Sequence, residues 1–298
     1  MSRPGGVEQV PLHTVALEWG RIGVTGFGGP PAHIELLREL LVGRRAWMEE
    51  QELEDAIAAC NLLPGPASTQ LAIFCARRVA GWPGAVVGGL AFMLPAVAVI
   101  LALSVLFLAH APPAWVRGAG AGAGAVIAAI AVRAGSGLLR PSWKHAADDG
   151  PPGRARWALY AVLGATAAAL AGPYLVLVLL GCGGAELAVR SVRSGGRPLL
   201  SLSVPALAVL SAGGIPALAW VAFKVGALSY GGGFVIVPLM QGDAVHTYHW
   251  MSSSQFLSAV ALGQVTPGPV VATVAAVGYA AHGLAGGVLA AAIAFAPS

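Results

Sequence analysis

Two basic residues lie at matching positions in two apolar stretches of the sequence. Arg21 lies in LEWGRIGVTGFGG, and Lys224 lies 203 residues later in LAWVAFKVGALSYGG. A charged side chain inside a membrane span costs about 2.5–3.5 kcal/mol on insertion scales, so it is a functional candidate by default. Two cations that share one cavity suit a doubly negative ligand, although each could instead snorkel to the membrane surface. Glu18 lies one turn before Arg21 and is expected either to neutralise its charge or to take part in proton coupling.

The triplet Pro-Gly-Pro occurs at 64–66 and again at 267–269, each time inside an apolar segment. Proline removes a backbone donor and glycine loosens the helix, so each triplet should interrupt a helix. Interrupted helices at membrane depth are tolerated only where the freed backbone is buried in protein or lines a polar cavity. A helix that restarts after the triplet offers unpaired N–H groups and a positive dipole end, which suit an anion. A proline kink in a packed helix is the alternative.

A pair of glycines after an aromatic residue also occurs twice, in GFGGP at 26–30 and in SYGGG at 229–233. Consecutive glycines can form concavities of backbone N–H groups that hold anions. They can also serve only to bring helices close together.

These features recur at one offset, which indicates an internal repeat of 203 residues without a gap. Interrupted apolar segments at corresponding places in two halves are the best sequence pointer to the binding site of a secondary transporter. The other matched positions are Gly23 with Gly226, Trp47-Met48 with Trp250-Met251, Ala58 with Ala261, Gly84 with Gly287, and Phe92 with Phe295.

The composition indicates which kind of protein must position these residues. Of the 298 residues, 57% are apolar and 10% are charged, whereas typical soluble domains contain about 25% charged residues. Uncharged runs such as 85–109 and 157–185 exceed the roughly 20 residues that cross a bilayer. The sequence therefore predicts an all-α polytopic membrane protein and not a very apolar soluble one. The basic residues flank the apolar runs, which argues against nucleic-acid binding.

We expect four segments along the chain. They are an N-terminal tail at 1–11, a first repeat at 12–139, a connecting region with further apolar spans at 140–214, and a second repeat at 215–298. The second repeat ends where the first has reached FMLPA, so it is expected to lack its last two spans.

The charges of matched loops predict that the two repeats are inverted. The segment 31–55 carries three arginines, whereas the equivalent 234–258 has neither arginine nor lysine. The positive-inside rule places the first segment in the cytoplasm and the second outside. The arginines at 77–78 remain on the first side if 56–76 enters the membrane and returns as a re-entrant hairpin. The segment 35–55 is expected to form an amphipathic helix at the interface.

The order of these motifs resembles the chromate transporter family. The resemblance rests on GFGGPPAHI, LLPGPASTQLA, GWPGA and FMLPA in the first half, and on SYGGGFVIVPLM and VTPGPVVATVAAVGY in the second. It covers about 12–135 and 215–298. It implies export of chromate, with sulfate as a competing oxyanion, driven by the electrochemical gradient across the inner (plasma) membrane. It also implies two homologous halves in antiparallel arrangement.

The two cations and the matched motif residues make up the predicted substrate-binding and translocation site, with Glu18 as the candidate for coupling. The second half departs from the first at Gly233, which replaces a proline, and at Ile236, which replaces a histidine. The site residues are Arg21, Gly28, Gly29, Pro30, His33, Asn61, Pro64, Gly65, Pro66, Gln70, Lys224, Gly231, Gly232, Gly233, Gln264, Thr266, Pro267, Gly268 and Pro269.

An intramembrane enzyme is the first alternative to a transporter. Its candidate residues have no HExxH, GxSxG or paired-carboxylate pattern around them, so no catalytic site, metal or cofactor is expected. A membrane scaffold or sensor, or a subunit that a partner must complete, is the second alternative. The expected partners are the oxyanion and the lipid bilayer, with a homodimer left open. The enzyme candidates considered are His33, His110, His145, Ser68 and Cys60.

Overall fold

The computed structural model describes residues 10–108, 150–170, 214–229 and 236–298, together with single residues and short stretches between 118 and 189. All elements in these parts of the chain are helices. Two of them, Ala67–Phe107 and the helical run Val270–Phe295, are long and apolar enough to cross a membrane. The predicted all-α fold is therefore confirmed, and the helices are consistent with a membrane protein.

The chain divides into two compact units, of which the larger comprises 1–127 and 212–298 and the smaller 128–211. The smaller unit contains one long described helix, α5 (Gly150–Leu170). The larger unit contains the first repeat up to residue 127 and the whole second repeat. Its first half is built from α1 (Leu12–Thr25), α2 (Pro30–Arg38), a π-helix π1 (Glu39–Arg44), α3 (Glu50–Leu62) and α4 (Ala67–Phe107).

The second half of the larger unit has the same order of elements. They are α6 (Ile215–Ala227), α7 (Ile236–Gln241), a π-helix π2 (Gly242–Thr247), α8 (Ser253–Val265), a 3₁₀-helix (Val270–Thr273) and α9 (Val274–Phe295). The bounds of π2 and α8 lie 203 residues after those of π1 and α3. Ala46 and His249, also 203 residues apart, both have positive φ angles, at 49° and 53°. The offset found in the sequence therefore describes the backbone up to the Pro-Gly-Pro triplets.

After the triplets the offset falls to 202. α4 kinks at Ala80 and Gly81, and α9 kinks at His282 and Gly283, with almost the same backbone angles. A Cβ on Gly84 would meet the backbone eight residues earlier, and so would one on Gly286. The predicted pairing of Gly84 with Gly287 is therefore wrong by one residue.

A 3₁₀ turn explains why the offset between the repeats falls by one residue. The second triplet is followed by 3₁₀ geometry at Val270–Thr273, where α4 is helical from its first turn. A 3₁₀-helix rises about 2.0 Å per residue against about 1.5 Å for an α-helix, so four residues cover the length of five. Phe92 accordingly corresponds to Ala294 and not to Phe295, because Gly23 faces the Phe92 carbonyl and Gly226 faces that of Ala294.

The segment 35–55 does not form the single amphipathic helix that the sequence predicted. It contains the end of α2, then π1, a turn, and the start of α3. The N–H groups of Trp47 and Met48 both donate to the Leu41 carbonyl, which closes the π-helix and reverses the chain. Ala46 occupies the left-handed region at this reversal.

Two apolar cores interlock the repeats. One contains Trp19 and Leu37 of the first half and extends to Phe92, beyond the kink in α4. The other is built around Leu218 and Phe256 and also contains the later part of α4, including Ile100. Because α4 contributes to both cores, it holds the second repeat against the first. This packing brings the two Pro-Gly-Pro turns together.

Candidate functional site

The residues that follow the two Pro-Gly-Pro triplets line one small pocket in the larger unit. The first residue of α2 and a serine just beyond α6 complete its described wall. The lining residues are Pro30, Pro66, Ala67, Ser68, Ser229, Pro269, Val270 and Val271. The sequence predicted that a helix restarts after each triplet, and the last proline of each triplet lines this pocket.

Each triplet turns through its glycine. Gly65 has φ +118° and Gly268 has φ +103°, a region that residues with a Cβ rarely adopt. An ideal Cβ on Gly65 would lie 3.8 Å from the Pro297 carbonyl oxygen, and one on Gly268 would meet the side chain of Ala96. Each turn therefore lies against a residue of the other repeat, Pro297 just after α9 and Ala96 within α4.

The helices that begin at the pocket have no side-chain caps. No side chain accepts a hydrogen bond at Pro66, which precedes α4, or at Pro269, which precedes the 3₁₀-helix. α1, α3 and α6 also begin without side-chain caps, whereas α8 has a complete capping box between Ser252 and Gln255. The first N–H groups of a helix have no acceptor within it, so the uncapped starts at the pocket leave donors for a ligand.

The donors can be named. Thr69 and Gln70 donate to the Pro66 carbonyl, and Ala272 donates to that of Pro269. The N–H groups that come before these first bonds belong to Ala67 and Ser68 in one repeat and to Val270 and Val271 in the other. α2 starts with two prolines and therefore contributes only the positive end of its dipole.

Ser229, which was not among the predicted site residues, adds a hydroxyl to the pocket. It is 2% exposed, and its Oγ has no hydrogen-bond partner among the described residues. A buried, unpaired hydroxyl is costly, so this group is a candidate for contact with a ligand. The signal in the sequence was a hydroxyl at the head of SYGGG, where the first repeat has glycine. Ser68, considered only as a nucleophile, lines the same wall.

His33 does not line the pocket. Its side chain is fully buried, and its Nε2 lies 3.0 Å from the Gly26 carbonyl oxygen, to which it donates. The Gly268 N–H donates to the same carbonyl at 2.9 Å. The His33 ring also stands edge-on to Phe92, with centroids 5.0 Å apart. His33 thus fastens the GFGGP loop, which in turn holds the second triplet.

Gln70 braces the first triplet from inside the same repeat. Its Nε2 donates to the Pro64 carbonyl at 2.8 Å. In the second repeat, Thr266 Oγ1 donates to the Leu262 carbonyl at 2.6 Å, just before the triplet. The Nε2 atom of Gln264 is buried and has no partner among the described residues. Of the other predicted site residues, Gly29 lies beside Val270, and Gly231, Gly232 and Gly233 lie outside the described residues.

The two predicted cations do not line the pocket. Arg21 is exposed on α1 and forms no ion pair with any described residue. Lys224 is paired with Asp243 of π2 at 2.5 Å, and the two side chains are 22% and 11% exposed. Lys224 is thus held by an acid that its first-repeat counterpart lacks, because Leu40 occupies the matching position.

Glu18 does not neutralise Arg21, as the sequence suggested. Its carboxylate, 9% exposed, accepts from Arg44 at 3.2 Å and from Arg45 at 2.7 Å. Both arginines lie at the end of π1, and the fold brings them to α1 from 26 and 27 residues away. The two repeats therefore join their first helix to their π-helix with ion pairs of opposite sense: the acid is on α1 in one and on π2 in the other.

Comparison with known proteins gives consistent matches over most of the chain. The family profile described as Chromate transporter matches residues 13–187 and 216–298. The chromate transport protein of Cupriavidus metallidurans is 32% identical over 309 residues, which cover 98% of this chain and 74% of that protein. The probable chromate transport protein of Synechococcus elongatus is 30% identical over 294 residues, covering 93% and 71%. The chromate transport protein of Pseudomonas aeruginosa is 30% identical over 287 residues, covering 90% and 66%. No solved structure matches.

Proposed function

Because the chain belongs to the chromate transporter family, we propose that it carries a tetrahedral oxyanion, chromate, out of the cell across the inner (plasma) membrane. The family makes it a transport protein and not an enzyme. The proposal includes energy from the electrochemical gradient and competition by sulfate, which shares the charge and shape of chromate.

The observation that carries this proposal is the pocket between the two triplets. Its described lining contains the four residues whose N–H groups precede the first helical hydrogen bonds, Ala67, Ser68, Val270 and Val271, and a second serine, Ser229. A hydrogen bond to a charged partner contributes about 1.5–3 kcal/mol, and a partly buried helix end contributes up to about 2 kcal/mol. Several such donors can replace the water around a dianion without a direct contact from a cation.

Arg21 and Lys224 have a different role in this proposal from the one the sequence suggested. Each lies five residues before the pocket loop of its repeat, at Gly26 and Ser229 respectively. A cation near a site of low polarity raises the local potential even without contact. We assign to both the attraction of the dianion towards the pocket, whereas the backbone and the serines bind it.

In this proposal, the parts of the protein that move are the two interlocked repeats. α4 packs in both cores, and the Gly268–Gly26 hydrogen bond joins the turn of one repeat to the loop of the other. Inverted repeats commonly alternate access by rocking around a fixed central site. In the proposed cycle, the pocket stays between the triplets while one repeat moves against the other. The inverted orientation itself rests on the loop charges.

The test is chromate transport by the whole chain and by one pocket variant. Inverted membrane vesicles from cells that express the chain should take up radiolabelled chromate when energised, and the cells should gain chromate resistance. Ser229→Ala removes one donor and should weaken chromate binding about ten- to a hundredfold. Ser258→Ala, whose hydroxyl bonds to the Ser254 carbonyl on the outside of α8, is the matched control.

A normal membrane level with no chromate uptake and no resistance would contradict the proposal. That result would favour the scaffold, the sensor or the partner-dependent subunit.

A further inference from the structure

The pocket has donors but no carboxylate. Its described lining contains prolines, small apolar residues and two serines. In the sequence around these lining residues, 26–30, 61–70, 229–235 and 264–273, there is no aspartate or glutamate.

The acids on neighbouring elements are held elsewhere. Glu18 of α1 is bound by Arg44 and Arg45, and Asp243 of π2 is bound by Lys224. The acids of α3 lie in its first half, and the last of them, Asp55, is six residues before Asn61. Six helical residues span about 9 Å. None of these carboxylates is free to turn towards the pocket without breaking an ion pair or crossing that distance.

One backbone acceptor of the GFGGP loop is also saturated. The Gly26 carbonyl receives hydrogen bonds from Gly268 N–H and from His33 Nε2, which use both of its lone pairs. The Gln70 Oε1 atom has no partner, but its residue is not part of the pocket wall. A serine hydroxyl can accept from a ligand through its lone pairs, but it is a neutral acceptor, and the described wall holds no carboxylate.

We propose that this pocket, whose described wall holds hydrogen-bond donors and no carboxylate, selects oxyanions that carry no proton. Chromate, sulfate and selenate are tetrahedral dianions with four acceptor oxygens. Hydrogen phosphate and hydrogen arsenate have the same shape and charge, but each carries one O–H donor that needs an acceptor. Leaving a buried donor unpaired weakens binding about ten- to a hundredfold. The inference rests on the proposed function and names the feature by which the site distinguishes its substrate class.

The experiment is a competition series in which charge and shape stay constant. Inverted vesicles that contain the full chain take up radiolabelled chromate in mildly alkaline buffer, where all four competitors are dianions. Sulfate and selenate should compete at similar concentrations. Hydrogen phosphate and hydrogen arsenate should require about ten- to a hundredfold more. Competition by phosphate and arsenate at the same concentrations as sulfate would overturn the inference.

A substitution tests the cause of the selectivity. Ser229→Asp places an acceptor in the pocket and should bring the effective concentrations of phosphate and sulfate closer together by about tenfold. Ser254→Asp adds the same charge at the exposed start of α8 and should leave their ratio unchanged. If Ser229→Asp fails to reach the membrane, the competition series on the unmodified chain still decides. Chromate uptake with no discrimination refutes the selectivity alone, whereas absence of chromate uptake refutes the proposed function as well.

Discussion

At the scale of single residues, the charged side chains of this protein mostly bind one another, and the ligand is left to neutral donors. Glu18 is bound by two arginines and Lys224 by Asp243, while the pocket offers N–H groups and hydroxyls. A fixed neutral donor attracts an anion without forming a lasting ion pair. A transporter must also release its substrate, so this arrangement suits the proposed cycle.

We expect the Lys224–Asp243 pair to contribute mainly to the stability of the fold and less to the attraction of the anion. Lys224→Ala leaves the Asp243 carboxylate unpaired at low exposure; because the pair is partly exposed, the cost should be below the roughly 3–5 kcal/mol of a fully buried pair. We expect a lower membrane level and a lower melting temperature in detergent. The double change Lys224→Leu with Asp243→Leu should restore both. If the double variant also regains full chromate binding, Lys224 has no role in attracting the anion.

Arg21 should behave in the opposite way. It forms no ion pair among the described residues and is exposed on α1, so Arg21→Ala should leave the membrane level unchanged. Chromate affinity should fall by less than the tenfold minimum expected for Ser229→Ala, because a nearby charge without contact contributes less than a hydrogen bond. Arg21→Lys should keep most of the affinity, since only the charge is required. A full loss of transport in Arg21→Lys would mean that the guanidinium contacts the substrate.

At the scale of elements, the close approach of helices positions the pocket. α1 lies against α4 at Gly23, where a Cβ would come within 2.6 Å of the Phe92 carbonyl oxygen. α6 lies against α9 at Gly226, where it would meet the Ala294 backbone, including the carbonyl carbon at 2.8 Å. Backbone cannot move aside as a flexible side chain can, so each contact sets the distance between two helices.

Alanine at either of these glycines should therefore separate a helix pair. We expect Gly23→Ala and Gly226→Ala to lower the membrane level and the thermal stability. Gly20→Ala, one turn earlier on α1, is the matched control, because its Cβ would lie 3.8 Å from the Ala91 carbonyl oxygen. It should be neutral or stabilising by up to about 1 kcal/mol from helix propensity. Equal effects at Gly20 and Gly23 would show that helix propensity, and not close packing, dominates.

At the scale of the whole molecule, the proposed inversion of the repeats can be tested by labelling. Glu50 and Ser253 begin α3 and α8 at equivalent places and are both exposed. In a background with Cys60, Cys75 and Cys182 replaced, Ser253→Cys should react with a membrane-impermeant thiol reagent added to intact cells. Glu50→Cys should react only after the cells are opened. Labelling of both positions from the same side would exclude an inverted arrangement.

Much of this molecule was predictable from the sequence because the relevant signals are local or repeated. Apolar length predicts helices that cross a membrane, and proline and glycine interrupt helices wherever they stand. When a motif occurs in both halves at one offset, the second occurrence supports the first, and π1 and π2 show the same agreement in the backbone. The one-residue slip after the second triplet was not predictable, because a 3₁₀ turn has no distinct sequence signal here.

The partners of the charged groups and the composition of the pocket were decided only by the tertiary structure. From the sequence, Glu18 was assigned to Arg21 because they are neighbours on one helix, but its partners come from the end of π1, 26 and 27 residues away. The sequence marks Ser229 only as a hydroxyl where the first repeat has glycine, and it is the packing that buries this hydroxyl without a described partner. Local sequence thus determines where the helices break, whereas long-range packing determines which broken ends meet and what lies between them.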